Sequence, residues 1–283
     1  MTDTVGISSQ TMAVLGAGNL GSAIARGIVR SGFRRAEEVH LTHLQPEELA
    51  DLAALGYPTG SDNVAAVSKA HVIVIAVQPQ DIKGLLAEIV PTLDPERHVI
   101  VSTATGVSLE ALRRSVGAEI PVIRAMPNLG IQTLSSMTCL ALGRDSEQVL
   151  PEVQELFSGL GETIRIKEEN MDAATALCAS GIAFFLRAIR AAAQGGIEIG
   201  FHADEAIRMA AQTAKGAAEV LLVNRSHPEV EIDQVTTPNG CTIAGLNEME
   251  NRGFTSALVR GIVVSAERAA SLSPTNSVES GGG

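Results

Sequence analysis

Residues 12–21 read Met12-Ala13-Val14-Leu15-Gly16-Ala17-Gly18-Asn19-Leu20-Gly21, an apolar run that leads directly into a G-x-G-x-x-G motif. The apolar run predicts a buried strand, and residues 21–29 follow a helical pattern. In such a unit the first glycine permits a tight bend, the second lets the backbone approach a pyrophosphate, and the third lets helix and strand pack closely. The helix N-terminus then offers free N–H groups to an anion. Residues 16–21 are therefore predicted to be a dinucleotide-binding turn.

The pattern around this stretch continues as alternating strands and helices. From residue 11 to about residue 166, short β-branched runs alternate with helical patterns, which predicts an α/β domain with a largely parallel sheet. Residues 71–77 barely alternate between polar and apolar, so we expect a central strand covered on both faces. After residue 170, Ala-rich stretches at helical period predict a second, all-α domain that suits a tight bundle or a helix-mediated dimer.

These patterns predict a Rossmann-type dinucleotide-binding domain at 1–168, a helical substrate and dimerisation domain at 169–272 and a disordered tail at 273–283. The longest uncharged apolar run, 173–186, is shorter than the roughly 20 residues of a membrane span and is expected to be a buried helix. No N-terminal basic segment precedes a long apolar one, so we expect no signal peptide and a cytoplasmic protein.

Charge and cysteine usage exclude several classes of partner and site. The formal net charge is −11, and no cluster of Lys and Arg offers a surface for phosphates, so nucleic acid is not an expected partner. The cysteines, Cys139, Cys178 and Cys241, have no metal-type spacing and are odd in number. We therefore expect no metal site and no disulfide framework.

The end of the second predicted strand bears on the choice of coenzyme. A site for NAD usually places Asp or Glu there, whereas this chain reads His40-Leu41-Thr42-His43-Leu44. A 2′-phosphate could instead meet Thr42, His43 and the N-terminus of a helix that begins near Pro46. NADPH is therefore the favoured coenzyme and NADH stays open. A solvated loop histidine is the competing interpretation of His43.

Several stretches together resemble the pyrroline-5-carboxylate reductase family over nearly the whole chain. Residues 15–25 are similar to that family's first strand and loop. Three further segments resemble parts of the family that lie beside the nicotinamide half of the cofactor. They are Ala76-Val77-Gln78-Pro79 with Gln80, Ala104-Thr105-Gly106 with Val107, and Arg124-Ala125-Met126-Pro127-Asn128.

In the helical half, the segment 175–181, which contains Ser180, resembles the family's substrate-side Ser-Gly segment. The most specific match is the family signature at 233–246. It contains Val235, Thr236, Thr237, Asn239, Gly240, Cys241 and Thr242. The resemblance implies that this loop and the helix after it hold the substrate carboxylate, that Thr242 is the catalytic-site threonine, and that relatives pair through this region. Taken without the resemblance, the favoured interpretation of Thr242 is a helix N-terminal residue that satisfies its own backbone.

The chain also departs from the family's commonest pattern. Gln78 stands for Lys, Leu129-Gly130 for Thr-Pro, Ile182 for Pro and Asn239 for Gly, while Cys178 and Cys241 stand where small hydroxylated residues are common. Several of these positions line the pocket that the resemblance implies.

The resemblance implies an oxidoreductase of proline biosynthesis that reduces 1-pyrroline-5-carboxylate to L-proline by hydride transfer from NAD(P)H to the cyclic imine. A homodimer or higher homo-oligomer is implied as well. Alternatives are a reductase of a related cyclic imine acid, a hydroxyacid dehydrogenase-like protein and a dinucleotide-binding sensor without catalysis. The dehydrogenase would need a Lys on the long helix after the Rossmann domain, and residues 170–214 contain none.

Overall fold

The computed structural model describes residues 11–117, 119–144 and 146–271. The predicted tail at 273–283 lies outside these ranges. Within them, strands join into one eight-stranded sheet. The strands are β1 (Met12–Leu15), β2 (Val39–Thr42), β3 (Thr59–Gly60), β4 (Val72–Ile75), β5 (Val99–Ser102), β6 (Val122–Met126), β7 (Ser136–Leu142) and β8 (Gly161–Arg165).

The sheet has the order β3-β2-β1-β4-β5-β6-β7-β8. Its first six strands are parallel and follow the 3-2-1-4-5-6 order of dinucleotide-binding domains, with the change of direction between β1 and β4. In such sheets ligands bind beyond the carboxyl ends of the strands at this point. β7 runs antiparallel to β6, and β8 is parallel to β7. The prediction of a largely parallel Rossmann-type sheet is confirmed.

Helices cover both faces of the sheet, as the uninterrupted apolar strands predict. The helices beside the sheet are α1 (Asn19–Arg30), α2 (Ala50–Ala54), α3 (Asn63–Val67), α4 (Ile82–Ile89), α5 (Leu109–Val116) and α6 (Leu150–Ser158). On one face Ile24 of α1 and Phe157 of α6 pack with Val14 of β1. On the other face Leu86 of α4 and Leu112 of α5 pack with Ile73 of β4. All of these side chains are buried.

The C-terminal part is helical, as predicted. It comprises α7 (Met171–Ala174), a π-helix (Thr175–Ser180), α8 (Gly181–Glu198), α9 (Ala203–Asn224), α10 (Pro228–Val235), α11 (Cys241–Asn251) and α12 (Phe254–Ser271). Helix ends in this part are capped by residues close to them in the sequence. For example, the Glu205 side chain accepts a hydrogen bond from the backbone N–H of His202, at the start of α9.

The two compact units of the structure do not divide where the sequence pattern changes. One unit holds the residues up to Ser180 together with those from Ser265 onward, and the other is Gly181–Val264. The sequence places the boundary at 168/169 instead. The difference arises because Met171, Cys178 and Ala179 pack into the core of the sheet domain, so α7 and the π-helix belong to it structurally.

The apolar run 173–186 is not the buried helix that its sequence predicts. It is divided among α7, the π-helix and α8, and Phe185 and Leu186 are exposed. By length and composition alone, the helical stretch Glu168–Glu198 could cross a membrane. Core helices of soluble proteins satisfy the same criterion, so the finding is weak evidence for a membrane span.

Candidate active site

Close packing requires glycine at two of the three motif positions. Gly16 follows β1 with φ of +87°, and a Cβ there would lie 2.5 Å from Cγ1 of Val77. A Cβ on Gly21 would lie 2.5 Å from the carbonyl oxygen of Gly16. The N–H groups of Gly16 and Ala17 donate to the carbonyl oxygen of Thr42 at 3.0 and 2.8 Å, which fixes the loop to the end of β2. The turn is thus held by steric fit and by backbone hydrogen bonds.

Gly18 differs from the other two glycines in what surrounds it. It is the N-cap of α1, and a Cβ there would meet no atom within 4 Å. No side chain caps the helix and no acidic residue stands in its first turn. The first N–H groups of α1 are therefore free of intrahelical partners and carry the positive end of the helix dipole. These residues fit the pyrophosphate of a dinucleotide, which such a helix N-terminus binds.

Two further expected cofactor segments follow strands that are neighbours of β1. Ala76 and Val77 come after β4, and the Ala76 N–H donates to the carbonyl oxygen of Leu15 at 2.8 Å. Ala104 and Thr105 follow β5, and Gly106 turns the chain with φ of +77°. Because β1, β4 and β5 are parallel, these segments lie at the same edge of the sheet as the glycine loop. Gln78 is exposed, and the half-buried Pro79 starts the next turn.

Asn128, after β6, has a side chain held in a single orientation. Its Oδ1 accepts from the N–H of Gly130 at 2.9 Å, and its Nδ2 donates to the carbonyl oxygen of Cys178 at 3.2 Å. Its own N–H donates to Oγ of Ser136 at 3.1 Å. The first bond explains part of the departure at Leu129-Gly130, because proline has no N–H to donate. A Cβ at Gly130 would also lie 2.5 Å from the Ser135 carbonyl oxygen.

The end of β2 differs in detail from what the sequence suggests. Thr42 is buried, and its hydroxyl donates to Oδ1 of Asn63 at 2.7 Å, so its link to the loop is through its carbonyl. His43 is half-buried, and its Nδ1 lies 3.1 Å from both the backbone nitrogen and the carbonyl oxygen of Gln45, which hold the ring beside the end of β2. The segment Pro46–Leu49 is a 3-10 turn with two acidic residues, so it does not provide the expected phosphate contact.

A cavity of about 640 Å³ opens beside the glycine loop. Its lining runs from Gly18 and Asn19 along α1 to Arg26, and includes Tyr57 and Gln132. It does not include the segments after β4 and β5. It therefore adjoins the predicted pyrophosphate position and extends along α1.

In the helical unit, the signature loop between α10 and α11 is built around one tight turn. The Gly240 N–H donates to the carbonyl oxygen of Thr237 at 2.9 Å, and Asn239 has φ of +56°. Asn is one of the few side chains that adopt this conformation readily, which accounts for its replacing Gly. A Cβ on Gly240 would lie 2.4 Å from Oγ1 of Thr237, so a larger residue there would displace the Thr237 hydroxyl. The Thr236 hydroxyl donates to the carbonyl oxygen of Ile232 at 2.6 Å.

Thr242 is the second residue of α11, not its cap. Gly240 is the N-cap, no side chain caps the helix, and no acidic residue stands in its first turn. Thr242 is half-buried, Cys241 is exposed, and Val235 is exposed at the end of α10. The N-terminus of α11 therefore presents free N–H groups together with a threonine hydroxyl, which suits a carboxylate. Ser180, the remaining substrate candidate, ends the π-helix and belongs to the sheet unit.

Three residues near the strand ends have roles that the sequence did not indicate. Asn63 holds the Thr42 hydroxyl. Arg124, with only 6% of its side chain exposed, pairs through Nη1 with Oε1 of Glu168 at 3.2 Å. Cys139 lies with its sulfur 3.9 Å from that of Cys178. The arginine inside the otherwise apolar strand β6 was a sequence signal for the buried pair of Arg124 and Glu168. The contacts of Asn63 and Cys139 join residues that are far apart in the chain, so no sequence signal predicted them.

Across residues 11–117, 119–144 and 146–271, no group of three or more His, Cys, Asp or Glu side chains is arranged to hold a metal ion.

Two family models match the chain. The model for pyrroline-5-carboxylate reductase dimerisation matches residues 168–272, and that for coenzyme F420-dependent NADP oxidoreductase matches residues 11–106. Both matches agree with the order of domains predicted from the sequence.

Known proteins resemble the chain in sequence along nearly its whole length. It is 49% identical to pyrroline-5-carboxylate reductase 1 of Dictyostelium discoideum, with 92% of this chain covered but only 49% of that protein. It therefore spans about half the length of that relative. It is 44% identical to pyrroline-5-carboxylate reductase 2 of the same organism, with 96% of this chain and 98% of the relative covered.

Solved structures give the same result. The 1-pyrroline-5-carboxylate reductase of Streptococcus pyogenes is 28% identical, with a TM-score of 0.81 and 93% of this chain and 98% of that chain covered. The NADP-bound pyrroline carboxylate reductase of Plasmodium falciparum is 22% identical, with a TM-score of 0.85 over 94% of this chain and 99% of that chain, and shows the fold. The resemblance inferred from the sequence motifs is confirmed, and the chain belongs to the pyrroline-5-carboxylate reductase family.

Proposed function

We propose that the chain reduces 1-pyrroline-5-carboxylate to L-proline, the last step of proline biosynthesis, with hydride supplied by NADPH. The observation that carries the proposal is the presence of two helix N-termini without side-chain caps or first-turn acids, at α1 and at α11. Each suits one of the two anions that the reaction involves, the coenzyme pyrophosphate and the substrate carboxylate.

The coenzyme half is supported by the strand ends. Gly16, Gly18 and Gly21 give the backbone access that a pyrophosphate needs, and the segments after β4 and β5 continue the same edge of the sheet. Asn128 is held there by three hydrogen bonds. Ala17, Asn19, Leu20, Ala76, Val77, Gln78, Pro79, Ala104, Thr105 and Gly106 complete the proposed coenzyme contacts. When bound, the coenzyme supplies the hydride.

The substrate half is supported by the α11 turn. The N–H groups of Cys241 and Thr242 and the hydroxyls of Thr237 and Thr242 are proposed to hold the carboxylate. Val235, Thr236, Asn239 and Gly240 complete this turn, and Ser180 stays a proposed substrate contact. A cyclic imine can arrive protonated, so the chain needs no strong acid of its own. Positioning of the imine carbon at about 3–3.5 Å from the hydride donor then provides most of the rate.

Preference for NADPH is part of the proposal. Its support is the absence of a carboxylate at the end of β2 and the presence of the half-buried His43 ring directly after that strand. Thr42 contributes by holding the glycine loop.

We also propose that the helical unit joins two or more copies of the chain in the cytoplasm. Within Gly181–Val264, only Gly181, Ala193 and Ala206 are buried among the residues that the structure describes, whereas large apolar side chains are exposed along every helix. A soluble helix of this composition needs a covering surface. The matched dimerisation model covers the same residues.

The deciding experiment is steady-state oxidation of NADPH by the purified full-length chain with 1-pyrroline-5-carboxylate. Parallel reactions contain a six-membered cyclic imine acid and a hydroxyacid with NADP⁺. We expect efficient turnover of the five-membered imine only. Faster turnover of either alternative substrate would refute the proposal and indicate that substrate class instead. Tight NADPH binding with no turnover of any would favour a sensor.

A further inference from the structure

Cys139 and Cys178 are separated by 39 positions in the chain, yet their sulfur atoms are 3.9 Å apart. Both are free thiols. Cys139 is only 3% exposed, whereas Cys178 is half-buried, so a small reagent reaches Cys178 first. The third cysteine, Cys241, is exposed and belongs to the other unit.

Two elements bring the thiols together. The antiparallel pairing of β7 with β6 sets Cys139 opposite Met126, near the carboxyl end of β6. The π-helix Thr175–Ser180 packs against the same face of the sheet and carries Cys178. Short π-helical segments inside helices are rare and often mark functional sites. The Asn128 amide holds this one through the carbonyl oxygen of Cys178.

The distance between the thiols is small enough to be closed locally. A disulfide needs its sulfurs about 2.05 Å apart, so the 3.9 Å separation must shrink by about 1.9 Å. Rotation of a cysteine side chain about χ1 moves its sulfur by more than this. The fold of the sheet domain can therefore stay intact while the pair reacts.

The two thiols differ in exposure, which assigns their roles, because the half-buried Cys178 meets a reagent before the buried Cys139. The hydrogen bond from the Cys139 thiol lowers the pKa of Cys178 to about 7. The same contact, together with burial, raises the pKa of Cys139. Because the thiolate is the nucleophilic form, the lowered pKa favours attack by Cys178, which is also the more exposed of the two.

We propose that Cys139 and Cys178 form a peroxide-reactive pair that closes to a reversible disulfide. The Cys178 thiolate attacks one oxygen of hydrogen peroxide, the O–O bond breaks, and the departing hydroxide takes up a proton to become water. This leaves a sulfenic acid on Cys178. The Cys139 sulfur attacks that sulfenic sulfur, the S–O bond breaks, and hydroxide leaves with the Cys139 proton as a second water. Two thiols thus lose two electrons, and one peroxide is reduced to two waters.

Closure also affects the residue that holds the π-helix. The disulfide ties Cys178 to β7, and any backbone adjustment that accompanies the side-chain rotation is passed to Asn128, because the carbonyl oxygen of Cys178 accepts from Nδ2 of Asn128. Asn128 follows β6 at the edge of the sheet assigned to the coenzyme, so oxidation is expected to disturb turnover. This consequence rests on the proposed function, whereas formation of the disulfide does not.

The pair is tested on the full-length chain by peptide mass analysis. The chain is treated with hydrogen peroxide, alkylated and cleaved with trypsin, which places Cys139 in 125–144, Cys178 in 168–187 and Cys241 in 226–252. We expect 125–144 linked to 168–187 and released by dithiothreitol, with 226–252 alkylated throughout as an internal control. Recovery of both peptides alkylated, a sulfinic acid on Cys178 without a link, or links only to 226–252 would each overturn the proposal.

Substitutions identify the reacting thiol. Cys139→Ser and Cys139→Ala remove the second thiol in two ways, so a folding defect of one does not hide the result. Both variants should accumulate a dimedone-reactive sulfenic acid on Cys178 after peroxide. Absence of that adduct in two folded variants would mean that Cys178 is not the attacking thiol.

Turnover provides a separate measurement. Oxidation should lower the rate of imine reduction by the unmodified chain at least about tenfold, because displacement of a positioning residue reduces rates on this scale. Dithiothreitol should restore the rate. Cys139→Ser should lose this reversible response. If the untreated chain reduces no imine, the proposed function fails while the peptide link still stands. If the link forms and turnover is unchanged, the control of Asn128 by the pair is refuted.

Discussion

The Cα of Gly16 faces Val77 so closely that a Cβ on Gly16 would lie 2.5 Å from Cγ1 of Val77. Gly18, two residues on, has no atom within 4 Å of the corresponding position. The two glycines of one motif therefore serve different purposes. Gly16 is required by the fold, and Gly18 leaves room beside the helix N-terminus.

We expect Gly16→Ala and Gly18→Ala to fail in different ways. Gly16→Ala forces a contact and a φ of +87° on a residue with a Cβ, which should cost about 1–3 kcal/mol of folding stability. Gly18→Ala should unfold at the temperature of the unmodified chain but bind NADPH more weakly, because its methyl occupies the approach to the pyrophosphate. Calorimetry and NADPH titration on both variants provide the comparison. Equal losses of stability would contradict the assignment.

We expect kcat/KM to be higher with NADPH than with NADH, because no carboxylate at the end of β2 repels the 2′-phosphate. His43→Asp should reduce the NADPH advantage by placing a negative charge there. His43→Asn is the matched control, since it removes the ring without adding charge. A clear preference of the unmodified chain for NADH would refute the idea.

Thr242→Ala should damage imine turnover far more than NADPH binding. Loss of one hydrogen bond to a charged group costs about 1.5–3 kcal/mol, or roughly ten- to a hundredfold in kcat/KM. Thr242→Ser keeps the hydroxyl and should be much milder. Because Gly240 is the N-cap of α11, the melting temperature should change little. An unstable Ala variant with kcat/KM within about twofold of the unmodified chain, well under 1 kcal/mol, would remove Thr242 from the site.

Light scattering at micromolar concentration should show at least a dimer. Phe185, on α8, has 59% of its surface exposed, and Phe185→Glu should weaken association by burying a charge in the interface. Ile164→Glu, at 49% exposure on β8 of the sheet unit, is the control and should leave the mass unchanged. A fully active monomer of the unmodified chain would exclude the proposed interface.

The pair formed by His71 and Glu152 predicts a pH-dependent contribution to stability. Nε2 of His71 lies 2.9 Å from Oε2 of Glu152, and this hydrogen bond raises the pKa of His71. The stabilisation is therefore complete below the unfolded-state pKa of about 6.5 and is lost as pH rises through the higher folded-state pKa. Arg34, 3.8 Å from Oε1 of Glu152, keeps the carboxylate paired in either case.

His71→Gln tests this contribution by denaturant unfolding. The variant should be less stable than the unmodified chain by about 1 kcal/mol near pH 6, and the difference should shrink near pH 9. A difference that is constant over this range would mean that packing of the ring, not its charge, provides the stabilisation.

Local patterns were sufficient to predict the strands and the coenzyme turn. β1 and β4 fall within the apolar runs predicted as strands, because strands covered on both faces leave an uninterrupted apolar signal. The glycine turn was likewise recognisable, since its spacing reflects steric demands within six consecutive residues. Helix α1 begins at Asn19, two residues before the start predicted from the pattern.

What escaped prediction depends on contacts between distant segments. The reversal of β7, the burial of the Thr42 hydroxyl by Asn63 and the approach of Cys139 to Cys178 each join residues that are far apart in the chain. The exposure of Phe185 was missed for another reason. An apolar helix face has the same sequence pattern whether it meets its own chain or another copy.

The reversal of β7 also places the end of this strand far from the coenzyme turns. Because β7 runs against β6, Leu142 ends it opposite Ile123, near the amino end of β6 and remote from the coenzyme edge. Arg144, which follows the buried Gly143, is exposed, so substitutions of its side chain would leave the coenzyme turns untouched. The same side chain offers an engineer an attachment point for a fluorescent reporter.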